Sequence, residues 1–197
     1  MLLDRRAYFI KERVAFVKLT DTYDIMDPET GAPIGVAKEE PPGWAKFARL
    51  VVNKHFLPTA VNVYEDEASG PLFTLKKSFT FLRAKVVVED ARGAPFGRFE
   101  SKLFTLGGGF FVVDDAGARV AEVKGDWKGW NFKFLDSAGR EIGVVTKKWA
   151  GFGKEMFTSA DNYMIALSDD APRGPQAAAL LLAAGLAIDL VFKEGKG

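Results

Sequence analysis

The chain has 197 residues, the size of one domain, and its 48% apolar and 27% charged residues form a globular balance that excludes extended disorder. With 27 basic residues against 26 acidic ones, the net charge of +1 provides no global field to draw the chain onto nucleic acid or an anionic membrane, so such binding needs a local patch. The absence of cysteine excludes disulfides, thiolate metal sites, cysteine nucleophiles and S-acylation, and the lone His55 excludes a histidine-rich metal site.

In chain order, Met1 to Tyr8 carries Asp4, Arg5 and Arg6 where a secretory leader needs an apolar stretch, so a cytoplasmic protein is expected. A first hairpin is expected around Arg13 to Thr20. Five copies of one phrase then follow, each an alternating apolar run, an acidic residue, a glycine and a second apolar run. They are Tyr23 to Gly35, Val61 to Leu75, Val86 to Gly97, Phe110 to Val123 and Phe132 to Val145. Each predicts a β-hairpin, because Asp or Glu with Gly supplies turn chemistry between two runs of period two. In Asn131 to Leu135 the alternation puts Phe132 and Phe134 on one face and Asn131 and Lys133 on the other. With a last strand at Asn162 to Leu167 the total is about a dozen strands, too many for one flat sheet, and closure into an antiparallel barrel removes the exposed edges.

Two segments break this pattern. Pro42 to Lys54 sets Trp44, Phe47, Ala48 and Val51 at helical spacing, with Lys46, Arg49 and Asn53 off that stripe. A short amphipathic helix is expected near 42–54, packed as a cap on a barrel end rather than laid on a membrane. The second is Ala177 to Phe192, sixteen residues introduced by Pro172 and Pro175. At about 1.5 Å per residue it covers roughly 24 Å, short of the roughly 30 Å hydrocarbon core, so a membrane span is disfavoured. A helix apolar on every side must be enclosed, and the barrel is the available enclosure. Leu180, Leu181, Leu182, Gly185, Ile188 and Asp189 are thereby expected inside it, the run of Ala and Gly keeping the cylinder thin enough for a lumen lined with side chains.

Glycine-rich stretches carry no nucleotide chemistry. Gly107 to Gly109 lies between two β runs with no helix start after it, and Gly151 to Lys154 lacks a leading glycine, with Glu155 in place of the Ser or Thr that holds magnesium. No serine in a nucleophile-elbow phrase accompanies His55, and the acidic pairs Asp114–Asp115 and Asp169–Asp170 fall at turns, where carboxylates bond local backbone. No catalytic residue is nominated. Lys124, Lys128, Lys133, Lys147, Lys148 and Lys154 are interleaved with Trp127, Trp130 and Trp149, a pairing suited to a membrane interface. Those lysines with Trp149 are the candidates for an anionic-lipid patch, although Glu122, Asp126, Glu141 and Glu155 among them favour a mixed solvated face.

The residues Ala121 to Tyr163 and the apolar run after them resemble the phospholipid scramblase and LURP-one-related families of the Tubby C-terminal-like kind. The family phrase is matched at Gly143, Val145, Lys147, Trp149, Gly151, Glu155, Phe157, Thr158, Ala160, Asp161, Asn162 and Tyr163, and in the final helix at Asp189, Phe192 and Glu194. The resemblance covers most of the chain as a single domain and implies a twelve-stranded barrel around a central C-terminal helix.

It also implies membrane association, and a calcium segment over Ser159 to Asp170 with Asp161, Asn162, Asp169 and Asp170 as oxygen donors. Ser159 replaces the first acid of that segment and Met164 its turn glycine, which weakens the calcium set, so no cofactor is otherwise expected. The cysteine run and proline-rich N-terminal region of animal scramblases are absent from this sequence.

The resulting expectation is a non-enzymatic module, peripheral at the inner face of the membrane, that binds anionic phospholipid headgroups or a membrane-associated protein at its basic exterior, with no nucleic-acid partner. The alternatives are a genuine phospholipid scramblase, a protein-interaction or structural domain without a lipid role, and an enzyme with a cavity at a barrel end.

Overall fold

The computed structural model describes residues 1–13, 20–53, 56–78, 85–102, 109–126, 129–147 and 162–193. Twelve strands occur in it: β1 (Ala7–Glu12), β2 (Thr22–Met26), β3 (Pro33–Glu39), β4 (Thr59–Tyr64), β5 (Phe73–Lys77), β6 (Lys85–Asp90), β7 (Pro95–Ser101), β8 (Gly109–Asp114), β9 (Arg119–Asp126), β10 (Asn131–Leu135), β11 (Glu141–Thr146) and β12 (Tyr163–Leu167). Each pairs antiparallel with its neighbours in sequence, and β1 closes on β12.

Five hairpins coincide with the five repeated phrases, and their turns work as the acidic residue and glycine require. In the turn after β10, Asp136 Oδ1 accepts from the amides of Ala138 and Arg140 while Gly139 at φ 78° makes the left-handed step. The turns at Asp27, Asp90 and Asp114 repeat it, each carboxylate bonding the backbone that follows. The pairing register shifts at or beside these turns, at Ile25/Met26, Val88/Glu89, Val112/Val113 and Phe134/Leu135, as three-residue loops with a bulge do. The first hairpin expected around Arg13 to Thr20 falls mostly outside the described residues. The strands flanking it are β1 and β2.

Since neighbours alternate in direction, every odd-numbered strand finishes at one end of the barrel and every even-numbered strand at the other. The acidic turns all lie at the second, the turn end. From there α2 (Pro175–Ile188) enters the lumen, starts beside the N-terminal 3-10 turn Leu2–Asp4, and finishes in a π-helical turn, Asp189–Lys193, towards the first, the tail end. Every residue from Ala178 to Ile188 on α2 is buried. Inward side chains of the wall, among them Ile25, Val63, Leu75, Val88, Phe99, Val112, Phe132, Phe134 and Ile165, form one core with it. The lumen is narrow at Gly185, where an added Cβ would strike the side chain of Ile165.

The amphipathic segment departs from expectation. Only Gly43–Ala48 is helical, as α1, and of this helix Ala45 is buried, while Trp44, Phe47 and Val51 point into solvent. The stripe expected to pack on the barrel end faces away from it.

Candidate functional site

Of the nominated basic residues, Lys124 on β9 and Lys133 on β10 are cross-strand partners exposed on the outer wall. Lys133 forms an ion pair with Glu141 across to β11, N–O 2.7 Å, so an acid stands beside this cation. Lys147 follows β11 at the tail end and sets its Nζ 4.4 Å from the ring centroid of Trp130, a cation–π distance. Trp130 takes a left-handed backbone at φ 46° just before β10, and this turns its ring onto Tyr163, centroids 5.2 Å apart, and edge-on to Phe132 at 6.3 Å. Lys128, Lys148, Trp149 and Lys154 lie outside the described residues.

The residues of the implied calcium segment are not gathered. Asn162 precedes β12 at the tail end and is buried, whereas Asp169 and Asp170 follow β12 at the turn end. A five-residue strand at about 3.3 Å per residue separates them by more than any ion can bridge. Asp161 lies outside the described residues. No group of three or more His, Cys, Asp or Glu that could hold a metal occurs among the described residues.

Inside the barrel, Asp189 meets the tyrosines of two strands. The hydroxyl of Tyr23, on β2, donates to Asp189 Oδ2, and Tyr163, on β12, is wholly buried nearby. Burial raises the phenol of Tyr23 well above its ordinary range, and the carboxylate of Asp189 raises it further. Tyr163 is raised for the same two reasons, with a smaller push from Glu12. Both phenols therefore stay neutral, and that of Tyr23 ties down the carboxylate at the end of the apolar helix, whereas the Tyr163 hydroxyl makes no hydrogen bond among the described residues. Asp189 was expected in the lumen from sequence. Its tyrosine partner was not, because Tyr23 is 166 positions away.

The α1 region is the surface that sequence reasoning misplaced. Arg49 is held by Glu39 of β3 through two charge-assisted bonds, Nη1 to Oε2 at 3.0 Å and Nη2 to Oε1 at 2.5 Å, and Thr59 Oγ1 donates to the same carboxylate. Both charged side chains are buried. This clamp fixes the chain just after α1, while Trp44, Phe47, Leu50 and Val51 stand 61%, 76%, 71% and 86% exposed. Lys46 lies within that patch and is exposed as well.

At the turn end a cleft of about 280 Å³ opens beside the start of α2, lined by Phe96, Val112, Ile142, Leu180 and Leu181, with Asp114 and Asp115 among its lining residues. No helix among the described residues is long and apolar enough to cross a membrane.

Comparison with known proteins gives one result. A family model described as Scramblase matches residues 20–195, nearly the whole chain. No curated protein and no solved structure matches.

Proposed function

Because this chain belongs to the Scramblase family, we propose that it is a non-enzymatic module that binds anionic phospholipid headgroups through basic residues on its exterior. The observation that carries this reading is family membership over residues 20–195 together with Lys124 on the outer wall and Lys147 at the tail end, Lys133 being paired with Glu141. Lys147 holds its cation at the tail end by resting over the ring of Trp130, which is itself buried in the core. Headgroup attraction of this kind fades as salt screens it. The test is cosedimentation of the full chain with phosphatidylserine-containing vesicles at low and high salt. Wild-type protein is expected to pellet at low salt and less at high salt, and the combined change Lys147→Gln, Lys148→Gln and Lys154→Gln to weaken vesicle partitioning by roughly a hundredfold, at about 1 kcal/mol per lysine. Failure to pellet at low salt contradicts the reading.

Family membership also favours a second reading, lipid scrambling itself. That activity by way of the C-terminal helix requires α2 to leave the lumen, and extraction exposes both the helix and the wall it covers. Each 100 Å² of apolar surface so exposed costs about 2.5 kcal/mol. A headgroup-flip assay on vesicles distinguishes the two: binding without flip supports the module, and flip supports the scramblase.

A further inference from the structure

The barrel has two chemically different ends. Among the described residues, connections at the tail end (13, 20–21, 40–53, 56–58, 78, 102, 129–130, 147 and 162) carry 5 basic and 2 acidic residues, whereas those at the turn end (27–32, 65–72, 91–94, 115–118, 136–140 and 168–174) carry 3 basic and 9 acidic ones. The near-neutral total hides a charge separation along the barrel axis. The α1 patch sits on the positive end, since it joins the finish of β3 to the start of β4.

From this coincidence we infer that the barrel docks end-on to an anionic bilayer, with Trp44, Phe47, Leu50 and Val51 inserted as an apolar wedge below the headgroups. The inference rests on the headgroup-binding reading and adds orientation and an insertion element to it. Three observations select a bilayer as occupant. The wedge is one short convex turn, and its exposed area, on the order of 500 Å² if a large side chain offers about 150–250 Å², falls short of the roughly 800 Å² per partner of a stable dimer or complex. The positive tail end attracts anionic lipid while the acidic turn end is repelled by it, which orients the barrel before contact. The buried Arg49–Glu39 clamp holds the wedge out in water beforehand, so insertion does not have to order it.

The chain has no cysteine, so single cysteines report position cleanly. An environment-sensitive fluorophore is attached to Phe47→Cys on the wedge or to Ala116→Cys on an exposed turn at the opposite end, and the full chain is mixed with phosphatidylserine–phosphatidylcholine vesicles. The label at 47 is expected to shift to the blue and brighten, and the label at 116 to remain aqueous. Trp44→Ser, Phe47→Ser and Leu50→Ser together are expected to lower vesicle partitioning by at least about tenfold without lowering the unfolding midpoint, since all three side chains are solvent-exposed.

If the wild-type chain does not bind these vesicles even at low salt, the headgroup reading and the wedge fall together. If it binds while the label at 47 stays aqueous and the triple variant binds equally well, the wedge alone is overturned. If the chain is a dimer without lipid and the triple variant is a monomer, the patch belongs to a second copy and the bilayer is overturned as its occupant.

Discussion

Asp189 is the single ionisable residue in the apolar run 177–192 and lies almost wholly buried. A carboxylate in such a place must be hydrogen-bonded, and the hydroxyl of Tyr23 does so from the wall. Tyr23→Phe removes that donor and leaves the carboxylate under-satisfied, so unfolding in urea is expected to show a loss of about 1–3 kcal/mol, and an unchanged midpoint would deny the tie. Asp189→Asn retains an acceptor for Tyr23 and is expected to cost less than Tyr23→Phe. The tyrosines also set an alkaline limit. Burial pushes the Tyr8 phenol up to about 12, and Tyr23 and Tyr163 are raised in the same direction. The unfolded chain releases these protons near pH 10 while the folded chain retains them. The stability Tyr8 contributes is therefore complete below about pH 10 and is lost as pH rises through about 12, and Tyr23 and Tyr163 act in the same direction. Tyrosinate absorbance is expected to lag a free-tyrosine titration and then rise together with loss of the fold. A free-tyrosine curve in the intact barrel contradicts this.

At the scale of elements, each hairpin was legible because its turn chemistry is local: Asp136 and Gly139 lie three residues apart and fix the turn between them. Strand β1 was not legible, since Tyr8, Phe9 and Ile10 are all buried and no alternation marks one face. Helix α1 failed for a different reason. Its apolar spacing is real, but spacing alone does not say which body covers the stripe, and here the fixing contact is the buried pair of Arg49 with Glu39 on another element. Helix α2 was legible in extent and environment because a helix apolar on all sides leaves no solvent face to choose. Its fit to the lumen supplies the prediction at this scale. Leu182→Ala leaves a cavity and is expected to cost about 2–5 kcal/mol, and Gly185→Ala overpacks against Ile165 at about 1–3 kcal/mol. Both losses are measured by urea denaturation, and a variant of either kind as stable as wild type contradicts close packing of helix and wall.

For the molecule as a whole, about a dozen strands and one enclosed helix were readable from the chain, and the closed order of twelve was what made the two ends distinct. The contrast between acidic turns and basic connections is present in the sequence, yet it has no spatial meaning until alternate strands are known to finish at the same end. The implied calcium residues illustrate the converse, since Asn162 and Asp169 are near neighbours in sequence but occupy opposite ends of β12. Enclosure of the C-terminal helix is the claim on which fold and function both depend. Thiol accessibility of Ala183→Cys or Ala184→Cys in the otherwise cysteine-free chain tests it directly. A water-soluble maleimide is expected to leave either cysteine unmodified under native conditions and to react only as denaturant unfolds the barrel, while reaction as fast as at the exposed Ala116→Cys would show the helix outside its own strands.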